Sequence, residues 1–390
     1  MEKWVSKLNS NLKIAIALYA RFPSEMAYGN HIIQVANGFA ENNCEVNIYY
    51  PRTYNKKSID AGPEEYYGTT NNIKFIMVDN FDITSYKLYE LLPKFFQQFF
   101  YSINTFIWSK KLKENNGEDY LWSTNPNILI IAKKYFKNVI FEKHGRAKYI
   151  QRLSMSRLKN ALLVGVTKQS KEELSKYSKN SLYLPNGVDE NIFKYKKIDS
   201  ENEIRIGYVG MLETYGVDKG VLDAIKKINL LNDKHNLFTQ IVGGPEKKLE
   251  EIKSYINSHS DKEKFSVKSR VPHDEVPSLL NTLDIGIVPY PNDQHMSKYA
   301  SPMKIFELAA CGVPVLASNI DSHKELEEFE LGILYFEHDN FDDFTDKLEI
   351  LITNNDLRGD LSSRSLRNIK NLFWAKRMSL ILESARSSTG

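Results

Sequence analysis

Between Tyr299 and Ser318 the chain places a helix start, a lysine and a carboxylate at a spacing that could hold an anionic ligand. Ser301 and Pro302 read as an N-cap and a first helical position. Met303 to Cys311 has helical spacing, and Gly312 followed by Pro314 stops the helix. Val313 to Ser318 reads as a buried strand. The free amides at such a helix start, those of Ser301, Met303 and Lys304, suit a phosphate, as does the positive end of the helix dipole. Glu307 lies within the same helix. A carboxylate repels phosphate, so it suits neutral hydroxyls such as those of a ribose. On spacing alone, an ordinary capped helix with a surface glutamate explains the run equally well.

Other residues have chemistry at strand ends. Glu142-Lys143-His144-Gly145 follows a strand, and His144 stands where a cleft residue would be. A neutral imidazole there could hydrogen-bond a sugar or a developing phosphate charge, making His144 a catalytic candidate. Met26-Ala27-Tyr28-Gly29 follows the first strand, and the small Gly29 would let the backbone approach a phosphate or sugar. Neither this loop nor any other is a GxGxxG fingerprint, which removes the best support for a nicotinamide or flavin cofactor. The sequence has no Asp-x-Asp, no P-loop and no Ser/His/Asp order. No metal and no cofactor are therefore expected.

These residues must be positioned by repeated βαβ units. Lys13 to Tyr19 is strand-like, Tyr28 to Asn42 helical, and Glu45 to Tyr50 strand-like again. Further strands are expected at Ile73 to Val78, Tyr120 to Trp122, Val139 to Glu142 and Leu162 to Val166. The alternation restarts after a polar stretch, with strands at Ile204 to Val209, Thr239 to Val242, Phe265 to Lys268 and Ile285 to Pro289. Helices are expected from about Gly220, at Leu249 to Ser258 and at Asp274 to Asn281. Two such series predict two doubly wound α/β domains, with ligands at the carboxyl ends of the strands in an interdomain cleft. The expected domains are 1–187, joined by a closing helix at 371–390, and 188–370.

Composition agrees with ordinary globular domains: 390 residues, 42% hydrophobic and 26% charged. A net charge of +3 does not suggest a nucleic-acid binder. Cys44 and Cys311 fall in unrelated contexts, which argues against a disulfide framework or a zinc site and fits a cytoplasmic protein. No stretch is long and apolar enough to span a membrane. Leu91 to Lys113 is aromatic-rich and ends in lysines. It reads either as a buried helix or as an interfacial surface that meets lipid or a lipid-linked acceptor.

The segment YASPMKIFELAACGVPVLAS resembles the donor-site signature of family 4 nucleotide-sugar glycosyltransferases, in its Ser-Pro-x-Lys variant. PNGVDENIF from Pro185 resembles that family's interdomain linker, and Asn371 to Glu383 its closing helix. The resemblance covers most of the chain and implies a GT-B fold of two Rossmann-like domains facing a cleft. It implies transfer of a sugar from a nucleoside-diphosphate sugar to a glycan or lipid-linked acceptor, with retention, in polysaccharide or glycoconjugate biosynthesis. Glu307 matches the second of the family's two glutamates and implies a ribose contact, while Tyr299 stands in place of the first. Lys219 of Lys219-Gly220 matches the family's diphosphate lysine, but Met211, after Gly210, replaces its usual arginine. Lys304 and Arg270 are the expected helpers. Gly243 resembles the loop beneath the nucleotide, and Arg270-Val271 the loop that meets the base. His144 implies a residue beside the transferred sugar. Met211 and Tyr299 also motivate an alternative, a non-catalytic nucleotide-sugar-binding or partner-activating subunit of the same fold. An epimerase of that fold is a third reading.

Overall fold

The computed structural model describes residues 12–53, 59–68, 72–80, 89, 91–113, 117–196, 198 and 203–387. The chain divides into two compact units. One comprises Met1–Leu184 with Trp374–Gly390, the other Pro185–Phe373. The expected boundaries were 187/188 and 370/371.

The first unit is built on a seven-stranded parallel sheet. Its strands are β1 (Lys13–Ala17), β2 (Glu45–Pro51), β3 (Ile73–Val78), β4 (Tyr120–Ser123), β5 (Asn138–Lys143), β6 (Leu162–Gly165) and β7 (Ser181–Tyr183). Their order is β3-β2-β1-β4-β5-β6-β7. Strands such as KIAIA and YLWS are buried almost throughout, because helices cover both faces of the sheet. The Ala27–Glu41 helix forms the first crossover, with Lys13 in register with Glu45. The closing Trp374–Ser387 helix packs against it. A side chain at Gly38 would meet the Trp374 carbonyl oxygen at 2.7 Å, so glycine sets how closely the two helices approach. Asn42 secures the contact by donating to the carbonyls of Gly38 and Ala375. Trp374, Met378, Ile381 and Leu382 join one core of this unit. Trp108, Leu121, Ile128 and Leu163 belong to another.

The second unit repeats the logic with β8 (Ile204–Met211), β9 (Glu213–Thr214), β10 (Val217–Asp218), β11 (Leu237–Gly244), β12 (Phe265–Ser269), β13 (Ile285–Val288), β14 (Val315–Ser318) and β15 (Ile333–Phe336). Six of them form a sheet in the order β12-β11-β8-β13-β14-β15, with every adjacent pair parallel. The chain starts at β8 in the middle, runs to one edge and returns to β13. The carboxyl ends of β8 and β13 therefore flank the point where the winding reverses, the place where doubly wound sheets open a crevice for ligands. In the first sheet β1 and β4 hold that position.

Several local expectations are corrected. The stretch after Gly210 is a two-stranded antiparallel hairpin, β9 with β10, turning at Tyr215 and Gly216. Both turn residues have positive φ, 52° and 81°, as a tight hairpin turn demands. The helix expected over Asp274 to Asn281 is a 3₁₀ turn at His273–Glu275 followed by a short helix, Val276–Leu280. Pro277 sits early in that helix, where its missing amide costs nothing. Unforeseen elements include β7, β15, and the helices Pro126–Ala132, Phe341–Thr353 and Asn355–Asn368.

Candidate functional site

In the second unit, four of the expected residues gather where the winding of the sheet reverses. Gly210 is the penultimate residue of β8, and a side chain there would meet Lys304 Cε at 2.8 Å. The absence of one lets the lysine stem lie against the strand. Lys304 then reaches Glu307, with Nζ 2.7 Å from Oε2. Glu307 is buried. Burial works against the Lys304 ammonium, but the Glu307 carboxylate outweighs it and holds the pKa above the ordinary lysine value. Lys219 follows the β9–β10 hairpin and is buried to 9% exposure. Its Nζ rests 4.7 Å from the centroid of Tyr290, two residues beyond β13. Among the described residues no carboxylate pairs with Lys219.

The backbone explains how Lys219 comes to be there. Its amide donates to the Leu212 carbonyl, closing the hairpin at its base. Asp218 accepts from the Gly220 amide and pairs with Lys248 at 2.8 Å. Gly220 has a φ of 73°, and a side chain there would meet the Pro289 carbonyl oxygen at 2.6 Å. The Lys-Gly pair thus places an ammonium against Tyr290 because only glycine fits behind it. A buried cation with no carboxylate partner lacks a counter-charge that a bound anion would supply. Arg270 is exposed beside Gly244 and adds positive charge near Lys304. Val271 is half-buried and packs on the core of this unit.

The helix start differs from the expectation. The helix runs Met303–Ala310 with Pro302 as its N-cap residue, and no side chain caps it. Ser301 does not cap. Its hydroxyl accepts from the Asn186 amide at 3.0 Å. The Met303 amide donates to the Ser301 carbonyl, and the Ile305 amide to Pro302. Lys304 retains its amide at the mouth of the helix. Gly312 does end the helix, with a φ of 69°. Tyr299 is buried and packs within this unit. Gly243 also has a packing reason: it lies in register with Gly210, whose carbonyl oxygen occupies the place of a side chain.

In the first unit the sequence pointed to His144 and Gly29. His144 belongs to a cluster that also contains His31, Glu142 and Arg377. Glu142 lies in β5 and is fully buried. Its Oε1 is 2.7 Å from His144 Nε2 and 3.2 Å from His31 Nε2. Its Oε2 accepts from Arg377 Nη1 at 2.9 Å. Burial alone would raise the Glu142 pKa, yet Arg377 and the two imidazoles hold it well below the ordinary carboxylate range. An ionised Glu142 can only accept, so His144 carries its proton on Nε2. Neutral His144 then offers Nδ1 as an acceptor. It cannot donate to a phosphate, as the sequence reading supposed, without first taking up a second proton. His31 is held neutral by burial, its pKa lowered to about 4.

His31 Nε2, Glu142 Oε1 and His144 Nε2 lie within 4.8 Å of one another, close enough to share one cation. The guanidinium of Arg377 on the other carboxylate oxygen already balances the charge. Gly29 is not a loop residue. It lies in the first turn of the Ala27–Glu41 helix, and its amide donates to the Met26 carbonyl. The Tyr67 hydroxyl and Ser24 carbonyl fill the space a side chain would take. Its small size serves packing, which corrects the expectation of a ligand contact there.

His31 and Arg377 were missed, although both leave a trace. Arg377 interrupts an apolar register formed by Trp374, Met378, Ile381 and Leu382, where a charge is out of place unless paired. His31 stands four residues before Val35 and seven before Gly38 on a packed helix.

Residues 203–354, which contain the whole second-unit constellation, match the family described as "Glycosyl transferases group 1". This match supports glycosyl transfer as the class of chemistry. No curated protein matches the chain. Similar solved structures include a glycosyltransferase from Rickettsia africae, with 15% identity and a TM-score of 0.72, covering 97% of this chain and 99% of that one. Sucrose-phosphate synthase from Thermosynechococcus elongatus gives 13% identity and 0.67, covering 97% and 100%. Anabaena HepE in complex with UDP and glucose gives 14% and 0.64, covering 96% and 100%. At these identities the likeness is one of fold, and the fold is GT-B.

Proposed function

We propose that the protein is a retaining, metal-independent glycosyltransferase of family 4 that moves a hexosyl group from a nucleoside-diphosphate sugar to an acceptor hydroxyl. The observation that carries this reading is Lys219, buried over Tyr290 with no carboxylate paired to it among the described residues, while Tyr290 also neighbours Lys304 of the Lys304–Glu307 pair. The diphosphate supplies the counter-charge that Lys219 lacks. Lys304, Arg270 and the Lys304 amide add donors for it. Glu307 takes hydrogen bonds from the ribose hydroxyls and, through its ion pair, orients Lys304 toward the phosphates.

As the bond from the anomeric carbon to the leaving oxygen breaks, negative charge builds on the β-phosphate. Fixed ammonium groups stabilise that charge with little reorganisation. In a retaining reaction the acceptor attacks from the side the diphosphate leaves. Its proton passes to the departing phosphate oxygen, so the enzyme needs no nucleophile of its own. His144 positions the sugar as a hydrogen-bond acceptor, with Glu142 fixing its tautomer. The acceptor belongs to polysaccharide or glycoconjugate assembly in this reading, and the UDP and glucose of the Anabaena complex make UDP-sugars the first donors to try.

The test is a screen of UDP-, GDP- and ADP-sugars by thermal shift and turnover, in EDTA, with Glu307→Ala in parallel. A donor that binds the folded state raises the melting temperature. Stabilisation with slow donor hydrolysis, both lost in the variant, is the expected result. Stabilisation without turnover in the presence of acceptors points to a non-catalytic binding subunit. No response to any donor refutes the site.

A further inference from the structure

The Lys94–Ser109 helix turns its polar side inward. It buries Ser102, Asn104, Thr105 and Ser109 along with Trp108. The three hydroxyls donate to carbonyls four residues back, in Gln98, Tyr101 and Thr105, so they need no partner beyond the helix. Phe95, Phe99, Ile103 and Ile107 are spaced four apart and form one exposed stripe. Leu91 extends the stripe at 80% exposure, Phe95 is 74% exposed, and Phe96 lies beside them. Single exposed apolar residues are ordinary on a protein surface, but a continuous stripe of large ones marks a contact.

The charges around the stripe identify that contact. Residues 91–113 contain Lys94, Lys110, Lys111 and Lys113 and no Asp or Glu. Lys94, Lys110 and Lys111 are exposed. A helix of 16 residues is about 24 Å long, with lysine at each end. No helix among the described residues is long and apolar enough to cross a membrane. We infer that this helix lies in the interfacial plane of an anionic bilayer, its aromatic stripe at the acyl boundary and its lysines at the lipid phosphates. A second copy of the chain is a poor occupant, because pairing the stripes would bring lysine-rich ends of like charge together. The inference stands apart from the proposed reaction and does not depend on it.

The test uses the full chain and vesicles of phosphatidylcholine with or without phosphatidylglycerol, read by co-sedimentation. Wild type is expected to bind the anionic vesicles and to release in high salt. The double variants Phe95→Ser/Phe99→Ser and Lys94→Glu/Lys110→Glu should each lower partitioning about tenfold or more, with unfolding temperatures close to wild type. Failure of wild type to bind anionic vesicles overturns the inference. So does binding that survives loss of both phenylalanines. A dimer seen by light scattering and dissolved by Phe95→Ser/Phe99→Ser assigns the stripe to a second copy instead.

Discussion

Arg377 Nη1 donates to Glu142 Oε2 at 2.9 Å, and neither side chain has any exposure to solvent. The two residues are 235 positions apart in sequence. One lies in the first turn of the last helix of the first unit and the other is the penultimate residue of its fifth strand. The pair ties the chain's closing segment to the sheet, and its second guanidinium nitrogen bonds the Leu184 carbonyl.

This pair sets a stability prediction. Removing one partner from a buried ion pair strands the other charge, which typically costs about 3–5 kcal/mol. Arg377→Met and Glu142→Gln should each lose stability on that scale in urea unfolding. The double variant leaves no stranded charge, so its loss should fall short of the sum by about 1 kcal/mol or more. Additive losses would show that the pair is not coupled.

The Lys219 and Glu307 sites should separate the two halves of a nucleotide. Lys219→Met removes an ammonium group but leaves Glu307, so it should weaken a nucleoside diphosphate and spare the nucleoside. Hydrogen bonds to a charged group contribute about 1.5–3 kcal/mol, or roughly ten- to a hundredfold in affinity. Glu307→Gln should instead erase any preference for UDP over its 2′-deoxy analogue. Calorimetric titration of each variant with UDP, 2′-deoxy-UDP and uridine checks this. If Glu307→Gln keeps the full 2′-hydroxyl preference, the carboxylate serves only to hold Lys304.

The two-sheet architecture was legible because buried parallel strands leave short apolar runs, such as IAIA and GIVP, bounded by turn residues. Lys219, Lys304 and Glu307 were singled out by resemblance to a donor-site signature, with the helix stop at Gly312 as the local signal beside it. What local spacing cannot carry is pairing across the fold. Arg377 and His31 sit in helices whose spacing gives no sign that both meet Glu142, a residue of a distant strand. Ser301 misled for a related reason: Ser-Pro before a helix fits an N-cap, but the hydroxyl is claimed by an amide 115 positions away. Leu91 to Lys113 shows a further limit. Its apolar periodicity reveals a two-sided helix, yet periodicity does not say which side faces in.

His323 gives the pH prediction. It is fully buried, and its Nδ1 donates to the Ser318 carbonyl at 2.8 Å. Burial lowers its pKa from 6.5 to about 4, only partly offset by that hydrogen bond. The unfolded chain therefore binds a proton between these values that the folded chain refuses. Stability from this group is complete above pH 6.5 and is lost as the pH falls toward 4. By about pH 5 the loss from His323 is about 2 kcal/mol. His31 and Glu142 add losses of the same sign as the medium becomes acid, since the first refuses a proton and the second resists one in the fold. Urea unfolding measured at steps from pH 7.5 down to 4.5 should show stability falling throughout the acid part of that range. His323→Phe cannot titrate, so its curve should be flatter, while the lost hydrogen bond lowers its stability at neutral pH by about 1 kcal/mol. A variant with the same acid slope as wild type would mean that His323 takes up its proton without leaving the folded state.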